Sequence, residues 1–144
     1  MEIQVSDQQN EIETELEKIK TKARKILNAL ACHESELSIV LVDDEQMSSL
    51  NEKYRNRRGS TNVLAFAMRE GEFAGISPEL LGDVIISLPT AQREAEAAGI
   101  CLDNMISRLL VHGILHLMGL DHEEGEDAAR EMERRSSELL GLLD

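Results

Sequence analysis

Three of the four histidines fall in one short run, VHGILHLMGLDHEEG, at positions 112, 116 and 122. His112 and His116 are four residues apart, and the apolar residues around them predict a helix. On a helix, side chains four apart leave the same face about one turn from each other. Two imidazole nitrogens so placed can grip one Zn²⁺ at about 2.0–2.1 Å. Gly119 stops the helix where a left-handed turn is easy, so the chain can reverse and return His122 to the same point. Three neutral imidazoles with a fourth position left for water or substrate describe a catalytic zinc rather than a structural one. The alternative, two helix histidines satisfied by backbone or carboxylate, would bury two polar rings in an apolar helix. His33, next to Cys32, has no partner in register and reads as a surface or structural residue.

The spacing H-x₃-H-x₂-G-x₂-H is shared with the metzincin proteases, whose motif is H-E-x-x-H-x-x-G-x-x-H. Here Gly113 stands where those enzymes carry the glutamate that deprotonates the zinc water. The histidines point to a zinc hydrolase, and the glycine argues against an ordinary protease. A glycine inside a helix also weakens it by about 1 kcal/mol relative to alanine, so something must pack or pass close to position 113. Asp121 is the candidate general base, although a carboxylate beside a ligand more often orients that ligand.

The net charge of 15 − 28 = −13 should repel a polyphosphate at long range. The distribution of that charge reverses the expectation. Residues 1–17 carry six acids and no base, whereas residues 53–69 carry Lys53, Arg55, Arg57, Arg58 and Arg69 and no acid. The protein is acidic with a local cationic patch. Arg55 offers a planar fork suited to phosphate oxygens, and Lys53, Arg57 and Arg58 read as guides for a nucleic-acid backbone. Aromatic residues make up only 2% of the chain, so no stacking platform is expected. Phe66, in an apolar strand, is assigned to the core. RNA would then be held mainly by charge and shape.

These residues must be positioned by ordinary elements. Residues 2–5 form a candidate strand, and Ile12, Leu16, Ile19, Ala23, Ile26, Leu27 and Leu30 recur with helical spacing. Residues 37–42 (LSIVLV), 63–68 (VLAFAM) and 83–87 (DVIIS) are β-prone apolar runs. Asp43 or Asp44 can cap a helix bearing Met47, Leu50 and Tyr54. Residues 57–62 and 71–82 read as loops. Pro89 opens a helix that Gly99 closes, Asp103 or Asn104 caps the helix of the histidines, and residues 124–140 form a charged helix burying Ala128, Met132 and Leu139. An apolar interior from Met105 to Met118 makes the histidine helix the buried centre of the domain. With 144 residues, no repeats and no linker, the chain reads as one α+β domain, residues 1–144, with a mixed sheet of about four strands.

Taken together, His112-Gly113-x-Leu115-His116-Leu117-x-Gly119-x-Asp121-His122 resembles the H-G-x-L-H-L-x-G-x-D-H signature of the YbeY family of bacterial rRNA-maturation endoribonucleases. Two upstream blocks resemble the same family. They are Leu50-Asn51-x-x-Tyr54-Arg55 with Thr61-Asn62-Val63-Leu64-Ala65-Phe66, and residues 81–87 (LGDVIIS). The chain departs from the family pattern at residues 56–60 and at Ala67, where relatives usually carry proline. The resemblance implies zinc on His112, His116 and His122 and a functional arginine at Arg55. It also implies metal-dependent cleavage of single-stranded RNA in 16S rRNA 3′-end maturation and ribosome quality control. Two other readings stay open: a ribosome assembly factor whose zinc is structural, and a zinc hydrolase of another substrate.

The partners to expect are rRNA and the ribosome or ribosomal proteins, toward which the acidic N-terminal segment and the charged last helix could turn. No apolar run approaches the roughly 18 residues that cross a bilayer. The acidic N-terminus lacks a signal-peptide core, and two cysteines form no disulfide framework. A reducing cytoplasm is the expected location.

Overall fold

The computed structural model describes residues 1–67, 80–120 and 125–143. The described residues form an α+β fold in the order β1 (Glu2–Asp7), α1 (Leu16–Ala29), β2 (Glu36–Val42), α2 (Asp44–Arg55), β3 (Val63–Ala67), β4 (Leu80–Ser87), α3 (Leu88–Ala98), α4 (Leu102–Leu117) and α5 (Glu126–Leu143). The strands make one mixed sheet in the order β1-β2-β4-β3. β1, β2 and β4 run parallel, and β3 pairs antiparallel with β4 at the edge.

Alternation along the strands assigns their two faces. Leu37, Ile39 and Leu41 of β2, with Val84 and Ile86 of β4, join α1, α3, α4 and α5 in the main core. Val40, Val42, Ile85, Leu64 and Phe66 point the other way, against Met47 and Leu50 of α2. α4 is buried almost all round, from Met105 to Leu117, as its composition predicts. Burying one such aliphatic side chain stabilises the fold by about 1.5–3 kcal/mol, so this helix anchors the domain. Among the described residues, no single helix is long and apolar enough to cross a membrane.

Several boundaries differ from those that periodicity predicts. α1 starts at Leu16 rather than Ile12 because Gln9 ties up the preceding turn. Its Oε1 accepts from the backbone N–H groups of Glu11 and Ile12, and its Nε2 donates to the Ile12 carbonyl. β4 begins at Leu80, so residues 80–82 are strand and not loop; the rest of the expected 71–82 loop lies outside the described residues, as does Met68. A bulge at Leu81 makes the early start possible. Gly82 follows it with φ +138, and any Cβ there would collide with the Phe66 carbonyl. α4 is entered from Cys101, not capped by Asp103 or Asn104. Asp103 sits in the first turn, where its carboxylate takes a 3.2 Å bond from Lys22 Nζ of α1.

Candidate active site

α4 places His112 and His116 one turn apart, both half-buried, with ring centroids 4.6 Å apart and planes at 61°. The two rings therefore share a patch of helix surface, as two ligands of one ion must. Beyond α4, Gly119 takes φ +93, the left-handed turn expected for a reversal. His122 and Asp121 lie outside the described residues. Among the described residues, no group of three His, Cys, Asp or Glu side chains converges. The described pair fits a metal in donor chemistry and spacing.

Gly113 explains why the helix can lie where it does. A Cβ at this position would meet Val84 Cγ1 at 2.8 Å, Val84 Cγ2 at 3.2 Å and Val63 Cγ2 at 3.5 Å. α4 thus crosses β4 and β3 so closely that a side chain at 113 would have to displace Val84. Close packing against Val84 gives the motif glycine a structural reason.

Arg55 reaches the same strand from the other layer. The Ser87 N–H donates to the Asn62 carbonyl at 3.0 Å, just before Val63 pairs with Ile86. In an antiparallel ladder the bonded pairs alternate. Leu64 and Phe66 therefore bond to β4, while Ala65 turns its N–H and C=O to the open edge. The Arg55 guanidinium donates from Nη2 to that Ala65 carbonyl at 2.6 Å, and its Cζ lies 5.0 Å from the Phe66 ring centroid. This bond uses one donor of a five-donor fork, leaving an oriented cation on the edge strand.

The remaining cations follow from how α2 ends. Asp43 caps α2 through a capping box with Gln46, and Asn56 closes it in the left-handed region at φ 54. Buried Asn51 then donates from Nδ2 to the Gly59 carbonyl at 2.9 Å. Arg57 and Arg58 sit exposed on the loop so pinned, and Lys53 lies over the Tyr54 ring with Nζ 5.1 Å from its centroid.

Two positioning residues are not apparent from the sequence alone. One is Asn51. The other is Asp44, whose Oδ1 accepts from Ser87 Oγ at 2.7 Å, Thr90 Oγ1 at 2.6 Å and Ser60 Oγ at 3.2 Å, while Oδ2 accepts from Arg93 at 2.7 Å. Burial alone would raise its pKa, but the bonds from Thr90, Ser87 and Arg93 outweigh burial and hold the carboxyl at about 2. Asp44 thereby fastens the cationic loop, through Ser60, to the start of α3. Its signal in the sequence is the Asp43-Asp44 doublet, one acid more than a single cap requires. His33, as expected, is exposed, with Nδ1 3.2 Å from Asn28 Oδ1.

Comparison with known proteins identifies a family for the chain. Residues 4–144 match the family model described as Endoribonuclease YbeY. The chain is 37% identical to the endoribonuclease YbeY of Syntrophus aciditrophicus, with 99% of this chain and 90% of the relative covered. It is 44% identical to that of Syntrophotalea carbinolica, over 98% and 95%, and 41% identical to that of Geobacter metallireducens, over 100% and 97%. The solution structure of TM1509 from Thermotoga maritima superposes with a TM-score of 0.65 at 20% identity, covering 98% of this chain and 88% of that one; this likeness concerns the fold alone. With a family model matched over residues 4–144 and relatives matched over nearly their whole length, the chain belongs to the YbeY endoribonuclease family.

Proposed function

We propose that the protein is an endoribonuclease that cuts single-stranded RNA with one zinc ion held by His112, His116 and His122. Its cellular role in this reading is maturation of the 16S rRNA 3′ end and ribosome quality control, in the cytoplasm. The observation that carries the proposal is the meeting of two layers at β3. Gly113, between the two histidines in α4, lies against Val63, and Arg55 donates to the carbonyl of Ala65, two residues along.

When bound, such an ion polarises a phosphoryl oxygen and favours an activated water. The protein's own residues do the rest. Arg55 holds a non-bridging phosphate oxygen and stabilises the charge that grows on it, with its fork already oriented by Ala65 and Phe66. Lys53, Arg57 and Arg58 align the backbone on either side without reading sequence. Asn51 and Asp44 keep that loop in place.

The test is cleavage of an end-labelled single-stranded RNA by the purified protein beside an identically purified His116→Ala variant. Cutting by the wild type alone, stopped by a chelator with the circular dichroism unchanged, supports a catalytic metal. Equal cutting by both preparations, or by neither, overturns the proposal in favour of an assembly factor that docks without cleaving.

A further inference from the structure

We infer that Tyr54 is a stacking face for an unpaired nucleobase of the substrate, beside the nucleotide whose phosphate Arg55 holds. This rests on the endoribonuclease reading and gives its single-strand preference a physical origin. The chain has one tyrosine, two phenylalanines and no tryptophan. In so aromatic-poor a protein, Tyr54 nevertheless keeps 55% of its surface exposed. It is propped and not loose: Phe66 meets it edge to face, with centroids 5.4 Å apart and planes at 65°. Phe66 itself packs partly buried against the α2-side core, so the pair is a ring fixed by another ring that is fixed by the core.

Cations flank this ring. Lys53 lies over Tyr54 and Arg55 lies over Phe66, at 5.1 and 5.0 Å from the centroids. Lysine's ammonium is a point charge on a flexible stem, so it can move to a phosphate as a base takes its place over the ring. Asp83 pairs with Phe66 across the ladder and Glu52 precedes Lys53 in α2. Among the described residues these two acids stand against the four cations Lys53, Arg55, Arg57 and Arg58. An exposed aromatic face among cations suits one occupant, a base with its phosphate. Stacking tolerates every base but requires one that is not already paired in a duplex. Composition points away from stacking because it counts rings; one ring rigidly placed beside Arg55 is enough for one base.

The test uses an unstructured 2′-O-methyl oligonucleotide carrying one 2-aminopurine, whose emission falls on stacking. Wild type and Tyr54→Phe are expected to quench it saturably. Tyr54→Leu is expected to bind roughly tenfold more weakly, without quenching, and to raise KM for RNA with kcat held. An abasic strand of equal charge should bind all three alike. Far-UV circular dichroism checks that Tyr54→Leu is folded. If Tyr54→Leu binds and quenches like wild type, the stacking role is overturned and the nuclease reading stands. If wild type binds no oligonucleotide, both fall.

Discussion

Gly113 lies so close to Val84 that a Cβ added to it would stand 2.8 Å from one valine methyl and 3.2 Å from the other. Val84 is fully buried and its χ1 is stiff, so it cannot swing aside. Alanine at 113 would gain about 1 kcal/mol of helix propensity, against an overpacking cost of about 1–3 kcal/mol. Gly113→Ala is expected to be a net loss of about 1 kcal/mol, seen as a lower urea midpoint. In the Gly113→Ala background, Val84→Ala should cost less than it does in the wild type; equal costs in the two backgrounds would show that the contact is not the cause.

Asp44 should make stability depend on acid. Its folded-state pKa of about 2 lies below the ordinary 3.8, so its contribution is complete above 3.8 and disappears as pH falls through about 2. The side chain is 35% exposed, and discounting for solvent screening leaves about 1–2 kcal/mol. Urea unfolding of Asp44→Asn should show a deficit of that size at pH 7 that closes toward pH 2. A deficit independent of pH would assign the effect to packing.

These two residues also show what a sequence can reveal. The helix of the histidines and the strand character of residues 37–42 follow from periodicity and β-propensity, which are local. The helix-weakening glycine at 113 signals a close approach without naming Val84 as the partner. The bonds of Asp44 run to Ser60, Ser87, Thr90 and Arg93, 16, 43, 46 and 49 residues away. No window of sequence contains them. The order β1-β2-β4-β3 is hidden for the same reason, since it depends on which strands meet. The late start of α1 escapes periodicity because Gln9, a polar residue, takes backbone donors that the apolar spacing assigns to the helix. The third histidine and Asp121 are assigned from the motif alone.

Replacement of Arg55 separates its two jobs. Its bond to the Ala65 carbonyl is exposed, so Arg55→Ala should change stability by about 1 kcal/mol or less. Cleavage should fall by about 10²–10³-fold, as for loss of one donor to a developing oxyanion. Arg55→Lys should recover little of this, because a point charge cannot replace the fork. Single-turnover rates at saturating RNA would measure it, and a Lys variant near wild-type rate would remove the fork from the mechanism.

Arg57 and Arg58 should act on affinity alone. If each contacts one phosphate, Arg57→Ala with Arg58→Ala should reduce the slope of log K against log salt by about 1.4 on single strands. The rate at saturating RNA should hold. An unchanged slope would place the two arginines away from the bound strand.

β3 has only five residues, yet its odd positions meet the main core, its even positions meet α2, and its outer edge bears Arg55. A slip of one residue would exchange the two faces, driving Phe66 toward the main-core layer and removing Ala65 from the reach of Arg55. The strand therefore works as a checksum on assembly. Chain made before residue 112 has none of the three histidines of the motif, and chain folded in the wrong register lacks the Arg55–Ala65 bond. Under the endoribonuclease reading proposed above, such a protein gains its cutting apparatus only once its architecture is correct.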